Sequence, residues 1–160
     1  MIRVAILTVS DSAVAGTRPD ISGPAIQERC AKAGWQVIAT ATVPDEQNQI
    51  SQQIREWADT VGAAVIFTTG GTGVAARDVT PEATRAVLDR EIPGICELVR
   101  SKGTEQTPFS ALSRAVAGTR KRCLIVNLPG SPKGAIYSLD IVKPLVSHVV
   151  ALLQGQTEHE

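Results

Sequence analysis

Thr69-Gly70-Gly71-Thr72-Gly73, with Asp78 five positions further on, is the stretch of this chain best suited to chemistry. Glycine takes positive φ at no steric cost and lets a ligand lie close to the main chain. The N–H groups of such a loop, with the hydroxyls of Thr69 and Thr72, can cradle phosphate oxygens. A carboxylate just beyond can hold the Mg²⁺ that such a phosphate carries. The loop has neither the G-x-x-x-x-G-K-[ST] spacing of a P-loop nor the G-x-G-x-x-G of a dinucleotide fold. These residues predict an enzyme that handles a nucleotide or a phosphorylated metabolite.

Three further segments offer polar groups. They are Ser10-Asp11-Ser12, Pro44-Asp45 and Pro129-Gly130-Ser131-Pro132-Lys133. Each also has an ordinary structural explanation. Asp45 and Asp78 are favoured helix caps, the serines suit turns, and Lys133 suits a solvated surface. Two carboxylates beside one phosphate loop are what a Mg²⁺-bound triphosphate needs, and this favours the functional reading of Asp45 and Asp78. By the same reasoning Gly71 should reject a β-branched residue, with nucleotide binding hurt far more than stability. His148 and His159 build no Ser/His/Asp or Cys/His arrangement.

The elements that must carry these segments follow from hydrophobic patterning. Ile2–Val9, Val65–Thr69 and Cys123–Leu128 are nearly continuous apolar, β-branched runs, as in parallel strands covered on both faces. Trp35–Val43 alternates more and reads as a strand nearer an edge. A helix is expected from Ser22 to about Ala33, with Gly34 as its stop. A second, capped by Asp45, carries the stripe Ile50, Ile54, Trp57, Ala58, Val61. A third starts at Thr80-Pro81-Glu82, with Thr80 as cap. The last runs from about Ser131–Lys133 to Leu153. A helical insert is expected over 93–117. Such alternation predicts an α/β fold, a three-layer α/β/α sandwich around a mostly parallel sheet. Ligands then bind at the carboxyl ends of the strands, where all four polar segments fall.

The chain has 160 residues, one domain by size, expected over residues 1–153 with a tail at 154–160 that lacks structure. Lys plus Arg and Asp plus Glu are each 16, so net charge is zero and no basic patch points to nucleic acid. No apolar run reaches the ~18 residues of a membrane span. The N-terminal IRVAILTV is too short and too β-branched for a signal peptide, which predicts a cytoplasmic protein. Cys30, Cys96 and Cys123 are widely spaced among apolar residues and read as buried thiols, not as a disulfide framework or a zinc site.

Thr68-Thr-Gly-Gly-Thr-Gly with Arg77-Asp78-Val79-Thr80-Pro81-Glu82-Ala83 closely resembles the signature of the MogA/MoaB-like molybdenum-cofactor proteins, which include the G domains of plant Cnx proteins and gephyrin. Thr8-Val-Ser-Asp-Ser with Asp20-Ile-Ser-Gly-Pro, Val43-Pro-Asp-Glu, Pro108-Phe-Ser-Ala-Leu-Ser-Arg-Ala-Val-Ala-Gly, and Asn127-Leu-Pro-Gly-Ser-Pro-Lys are similar to it as well. The resemblance covers about residues 2–153, and the segments together are highly specific.

The resemblance implies molybdopterin adenylyltransferase activity. The terminal phosphate of molybdopterin attacks the α-phosphorus of Mg-ATP, giving adenylyl-molybdopterin and pyrophosphate. It implies a homotrimer, Mg²⁺ with ATP as co-substrate, and a molybdenum-insertion protein as partner. The family's functional positions fall on Asp45, Asp78 and Ser113, with Asp78 as main metal–phosphate carboxylate, Asp45 in support and Ser113 as hydrogen-bond donor to substrate. Apolar Ile92, Ile95, Leu98 and Val99 of the insert are compatible with an interface or with a local core. Ser131 stands where relatives carry Asn or Gln in P-G-x-P, which leaves the contacts of that loop open. The alternative is a molybdopterin-binding carrier without catalysis, in which both acids would be dispensable for turnover.

Overall fold

The apolar runs become strands because both of their faces are covered. Strand β1 (Arg3–Val9) sends Val4 and Ile6 to one side and Ala5, Leu7 and Val9 to the other. β3 (Val65–Thr69) and β6 (Cys123–Leu128) divide in the same way, Phe67 and Val126 facing one layer and Ile66 and Ile125 the other. Side chains alternate with a period of two, so a strand buried on both faces must be apolar throughout. The computed structural model describes residues 1–155.

With β2 (Gln36–Val43), β4 (Arg90–Glu91) and β5 (Ala117–Arg120), these strands form one sheet in the order β2-β1-β3-β6-β5-β4. β2, β1, β3 and β6 run parallel, while β5 and β4 are antiparallel additions. β2 lies at one edge, as its alternation predicts.

Helices α2 (Ser22–Lys32), α5 (Pro93–Gly103) and α6 (Pro132–Leu153) cover the Val4 face through Ile26, Cys30, Ile95, Cys96, Leu139 and Val142. α3 (Gln47–Glu56) and α4 (Thr80–Arg85) cover the other face through Ile50, Ile54 and Ala83. The expected apolar stripe of α3 continues through a π-helical turn, Trp57–Val61, that ends at left-handed Gly62. A short helix, α1 (Asp11–Ala15), follows β1 directly. By length and composition α6 could cross a bilayer, but its Ala135, Leu139, Val142 and Val146 are packed into the core. All three cysteines are buried free thiols. Burial pushes Cys30 and Cys123 up to about 12 and Cys96 up to about 11.

Several expectations need correction. The insert is not helical throughout: α5 gives way to a 3-10 turn at Pro108–Leu112 and then to strand β5, which pairs Ala117 with Val126. Of its apolar residues, Ile95 is buried and Ile92 and Val99 pack against the same cluster, while Leu98, Phe109 and Leu112 are exposed. Asp45 does not cap α3, whose cap position is Glu46 with no side-chain bond. Thr80 does not cap α4 either: it is the first helical residue, preceded by Val79. Of the tail expected to lack structure, Gln154 and Gly155 close α6 through backbone bonds to Val150 and Leu152. Residues 156–160 lie outside the described residues.

Candidate active site

The carboxyl ends of β1, β2, β3 and β6 lie side by side, and the four polar segments issue from them. The glycine loop after β3 is seated by backbone bonds. Gly70 N donates to Leu128 O at 3.2 Å and Thr80 N to Gly71 O at 3.1 Å. The Thr80 hydroxyl donates to Gly70 O at 2.9 Å. Gly70 and Gly71 have φ of 101° and 70°, the left-handed region that favours glycine. A side chain on Gly70 would strike the carbonyl of Val9; one on Gly71 would strike Thr80 Oγ1 and come within 3.0 Å of Asp45 Oδ1. Gly73 has no positive φ, but a Cβ there would lie 2.8 Å from Asp78 Oδ2. Close approach, not backbone conformation, requires that third glycine. Among the described residues the N–H groups of Gly71, Thr72 and Gly73 have no protein acceptor, which leaves them free for an anion.

The loop divides the candidate residues. On one side a cavity of about 550 Å³ is lined by Thr72, Gly73, Ser113, Pro129, Ser131 and Lys133, roofed by α5, the 3-10 turn and the start of α6. Arg100 and Lys133 make it cationic, and Val74 and Phe109 give it an apolar rim. On another side, a cavity of about 360 Å³ is bordered by Ser10, Ser12, Thr69, Gly70, Gly130, Ser131 and Pro132. Neither cavity is lined by Asp11, Asp45 or Asp78. Asp45 and Asp78 instead flank the loop, against Gly71 and Gly73 respectively.

Those acids are electrostatically linked. Asp45 N donates to Asp11 Oδ1, and Asp11 N donates to Asp45 Oδ2. Arg77 grips both oxygens of Asp11 at 3.0 Å and reaches Glu46 at 3.2 Å. Hydrogen bonds from Arg77, then from the Asp45 N–H, hold the Asp11 carboxyl below its ordinary range. Desolvation, then the charges of Asp11 and Asp78, push Asp45 above its ordinary range, against the Asp11 N–H bond and Arg77. A partly desolvated carboxylate between two others is a place a cation would stabilise. Among the described residues no three metal-ligating side chains form a ready cage.

Some predicted residues are engaged in structure. The Thr69 hydroxyl, fully buried, donates to Pro129 O at 2.7 Å and is not offered to a phosphate. Ser10 caps α1 by accepting from Ala13 N, and Ser131 caps α6 by accepting from Gly134 N. Ser113 Oγ accepts from Ala115 N at 3.3 Å and borders the larger cavity. Three residues escape the sequence reading of site roles. Arg114 binds Gly73, Asp78 and Glu82; Arg77 binds Asp11; buried Asn127 ties Val116, Thr68 and Thr84 together. The one available signal was their presence within or beside the quoted motifs.

The chain is similar to known proteins in sequence and in fold. The family described as "Probable molybdopterin binding domain" matches residues 5–148. The chain is 41% identical over 151 residues to molybdopterin adenylyltransferase of Escherichia coli K12, covering 93% of this chain and 77% of that protein. It is 41% identical over 150 residues to the molybdenum cofactor synthesis protein cinnamon of Drosophila melanogaster, covering 92% of this chain but spanning only 25% of the length of that protein. The crystal structure of the molybdopterin biosynthesis enzyme MoaB from Thermus thermophilus superposes with a TM-score of 0.92 at 52% identity, covering 98% of each chain. With a match across the sheet, the glycine loop and the strand-end segments, the chain belongs to the molybdopterin-binding domain family of molybdenum-cofactor biosynthesis.

Proposed function

We propose that this protein is a molybdopterin adenylyltransferase, which transfers AMP from Mg-ATP to the terminal phosphate of molybdopterin and releases pyrophosphate. The observation that carries the reading is the glycine loop: free N–H groups at the ends of parallel strands, with Asp45 and Asp78 against Gly71 and Gly73. Relatives over 40% identical across most of the chain carry that activity in their names.

The reaction needs no general base. A phosphate oxygen, already anionic near neutral pH, forms a bond to the α-phosphorus as the bond to the pyrophosphate oxygen breaks. This agrees with a site that offers carboxylates, hydroxyls and N–H groups and, among the described residues, no histidine. The N–H groups of Gly71, Thr72 and Gly73 would hold phosphate oxygens and oppose their charge. Lys133 and Arg100, bordering the larger cavity, would draw the anionic substrates in. Ser113 would donate to substrate there, and alignment of the two phosphates would supply much of the acceleration. Asp78, supported by Asp45, would hold Mg²⁺, which neutralises phosphate charge when bound. Ser10, Asp11 and Ser12, with the Pro129–Lys133 segment, would shape the floor on which substrate rests.

Pyrophosphate release from molybdopterin and Mg-ATP, compared between the wild type and Asp78→Asn, tests the reading. Release by the first and not by the second is expected. Tight molybdopterin binding without release would identify a carrier instead. A cytoplasmic homotrimer that passes its product to a molybdenum-insertion protein completes the proposal. It rests on the family resemblance, and Leu98, Phe109 and Leu112 leave apolar surface exposed on the insert. Light scattering should give a mass near three chains, and cell fractionation should find the protein in the soluble cytoplasmic fraction.

A further inference from the structure

We propose that Arg114 is a positioning residue that fixes where the Asp78 carboxylate stands, an inference that rests on the adenylyltransferase reading. The segment from Gly73 to Asp78 has no regular secondary structure, and Val74 at its tip is 71% exposed. Little packing holds it. Its two end carbonyls nevertheless converge on one guanidinium. Arg114 Nε donates to Gly73 O at 2.7 Å, and Arg114 Nη2 donates to Asp78 O at 2.7 Å. The Arg114 backbone N–H adds a bond to Thr72 O at 2.8 Å. One residue thus grips the loop at three carbonyls.

The guanidinium takes the carbonyl of Asp78 and leaves its carboxylate alone. That carboxylate accepts from Ala75 N at 3.0 Å through Oδ2, and among the described residues Oδ1 has no hydrogen-bond donor. Glu82 explains why the cation does not capture it. Arg114 Nη1 donates to Glu82 Oε2 at 2.6 Å, and the pair holds the arginine above and the glutamate below their ordinary ranges. Glu82 thereby neutralises Arg114 and fixes the plane of the fork. Charge felt at Asp45 from Asp78 depends on this placement. Ser113, next in the chain, borders the larger cavity, so the same clamp ties the substrate-side serine to the acid on the far side of the loop. A planar fork with fixed donor directions can serve these acceptors together; a lysine ammonium cannot reproduce that geometry.

The test uses Arg114→Lys and, in case the arginine variant does not fold, Glu82→Gln, which leaves the carbonyl bonds in place but frees the fork. Hydrogen exchange of the peptide spanning residues 70–79 is measured without nucleotide, beside kcat, KM for Mg-ATP and the Mg²⁺ concentration giving half-maximal rate. Faster loop exchange is expected in both variants. In Arg114→Lys, kcat should fall about a hundredfold, the loss typical of a small misplacement at a reacting centre. Half-saturating Mg²⁺ should rise while KM for ATP changes little, and Glu82→Gln should lie between. Faster loop exchange with wild-type kcat and Mg²⁺ dependence would overturn the positioning role. Unchanged exchange in both variants would overturn the clamp itself. If the wild type releases no pyrophosphate, the functional reading fails separately, and exchange alone still decides whether the clamp exists.

Discussion

Asp11 and Asp45 hold each other through their main chains, the Asp45 N–H donating to Asp11 Oδ1 at 2.9 Å and the Asp11 N–H to Asp45 Oδ2 at 3.0 Å. The two respond to pH in opposite senses. Asp11, held low chiefly by Arg77, contributes stability that is complete above the unfolded carboxyl pKa and lost as pH falls through its depressed folded value. Asp45, raised mainly by desolvation, costs stability in full above its folded pKa, a cost that shrinks as pH falls through that value and is gone below the unfolded carboxyl pKa. Arg77 lowers both groups. Arg77→Gln should therefore move the acid limb of the activity profile to higher pH. A kcat/KM profile with an unmoved acid limb would show that neither ionisation governs turnover.

Asp45→Asn should separate stability from activity. The amide oxygen still accepts from Asp11 N, but the desolvated charge is gone. The melting temperature at neutral pH should equal or exceed that of the wild type, with the difference shrinking in acid. Adenylyl transfer should fall by about 10²-fold, the scale of losing one stabiliser of developing charge. A variant both less stable and fully active would contradict each half of this account.

In Asp78→Asn the bond from Ala75 N can be kept by the amide oxygen, so the fold should persist. Transfer should drop by about 10²–10³-fold, and added Mg²⁺ should not restore it. Circular dichroism and pyrophosphate release on the same preparation decide the matter. Most of the wild-type rate surviving at saturating Mg²⁺ would remove Asp78 from the metal–phosphate role.

Gly71→Ala should destabilise the protein by about 1–2 kcal/mol, the cost of placing a side chain in the left-handed region. The methyl group would also press on Thr80 Oγ1 and Asp45 Oδ1, so activity should decline with it. A β-branched residue at Gly71 should cost stability too, with nucleotide binding weakened far more. Urea unfolding provides the measurement, and an unaltered midpoint would mean that the loop relaxes freely.

Asn127→Leu should cost about 1–3 kcal/mol for each buried partner left unsatisfied. Those partners are the Val116 N–H and the Thr68 hydroxyl, while the Thr84 hydroxyl keeps its bond to Thr80 O at 2.8 Å. The loss should appear as a lower urea midpoint at an unchanged slope. A neutral result would show that water replaces the amide.

The β1, β3 and β6 strands could be read from the sequence because residues such as Val4 and Ala5 meet apolar layers on opposite faces, and composition records that directly. Ala117–Arg120 could not. Four residues containing one glycine and one β-branched side chain carry little local preference, and their extended state comes from pairing with β6. That Asp45 and Asp78 lie against the glycine loop could be read because both follow strands whose carboxyl ends meet at one edge of the sheet. The fate of Thr69 was not, since residue type does not reveal that its hydroxyl turns to Pro129 O. Arg114 reaches acceptors 41 and 36 positions away in sequence, a distance over which spacing carries no information.

The parallel neighbours of the sheet centre are remote in the chain. Val4 pairs with Val65 and Val65 with Leu124, separations of roughly sixty residues whose closure entropy must be met before pairing rewards it. The floor beneath the glycine loop is built by the ends of these same strands. During synthesis, a ribosome-bound chain that has not yet exposed β6 has no Leu128 carbonyl to seat Gly70 and no Pro129 carbonyl for Thr69. Competence to bind substrate should therefore appear late and all at once, when the last strand docks, so partly made chains would not hold substrate they cannot turn over.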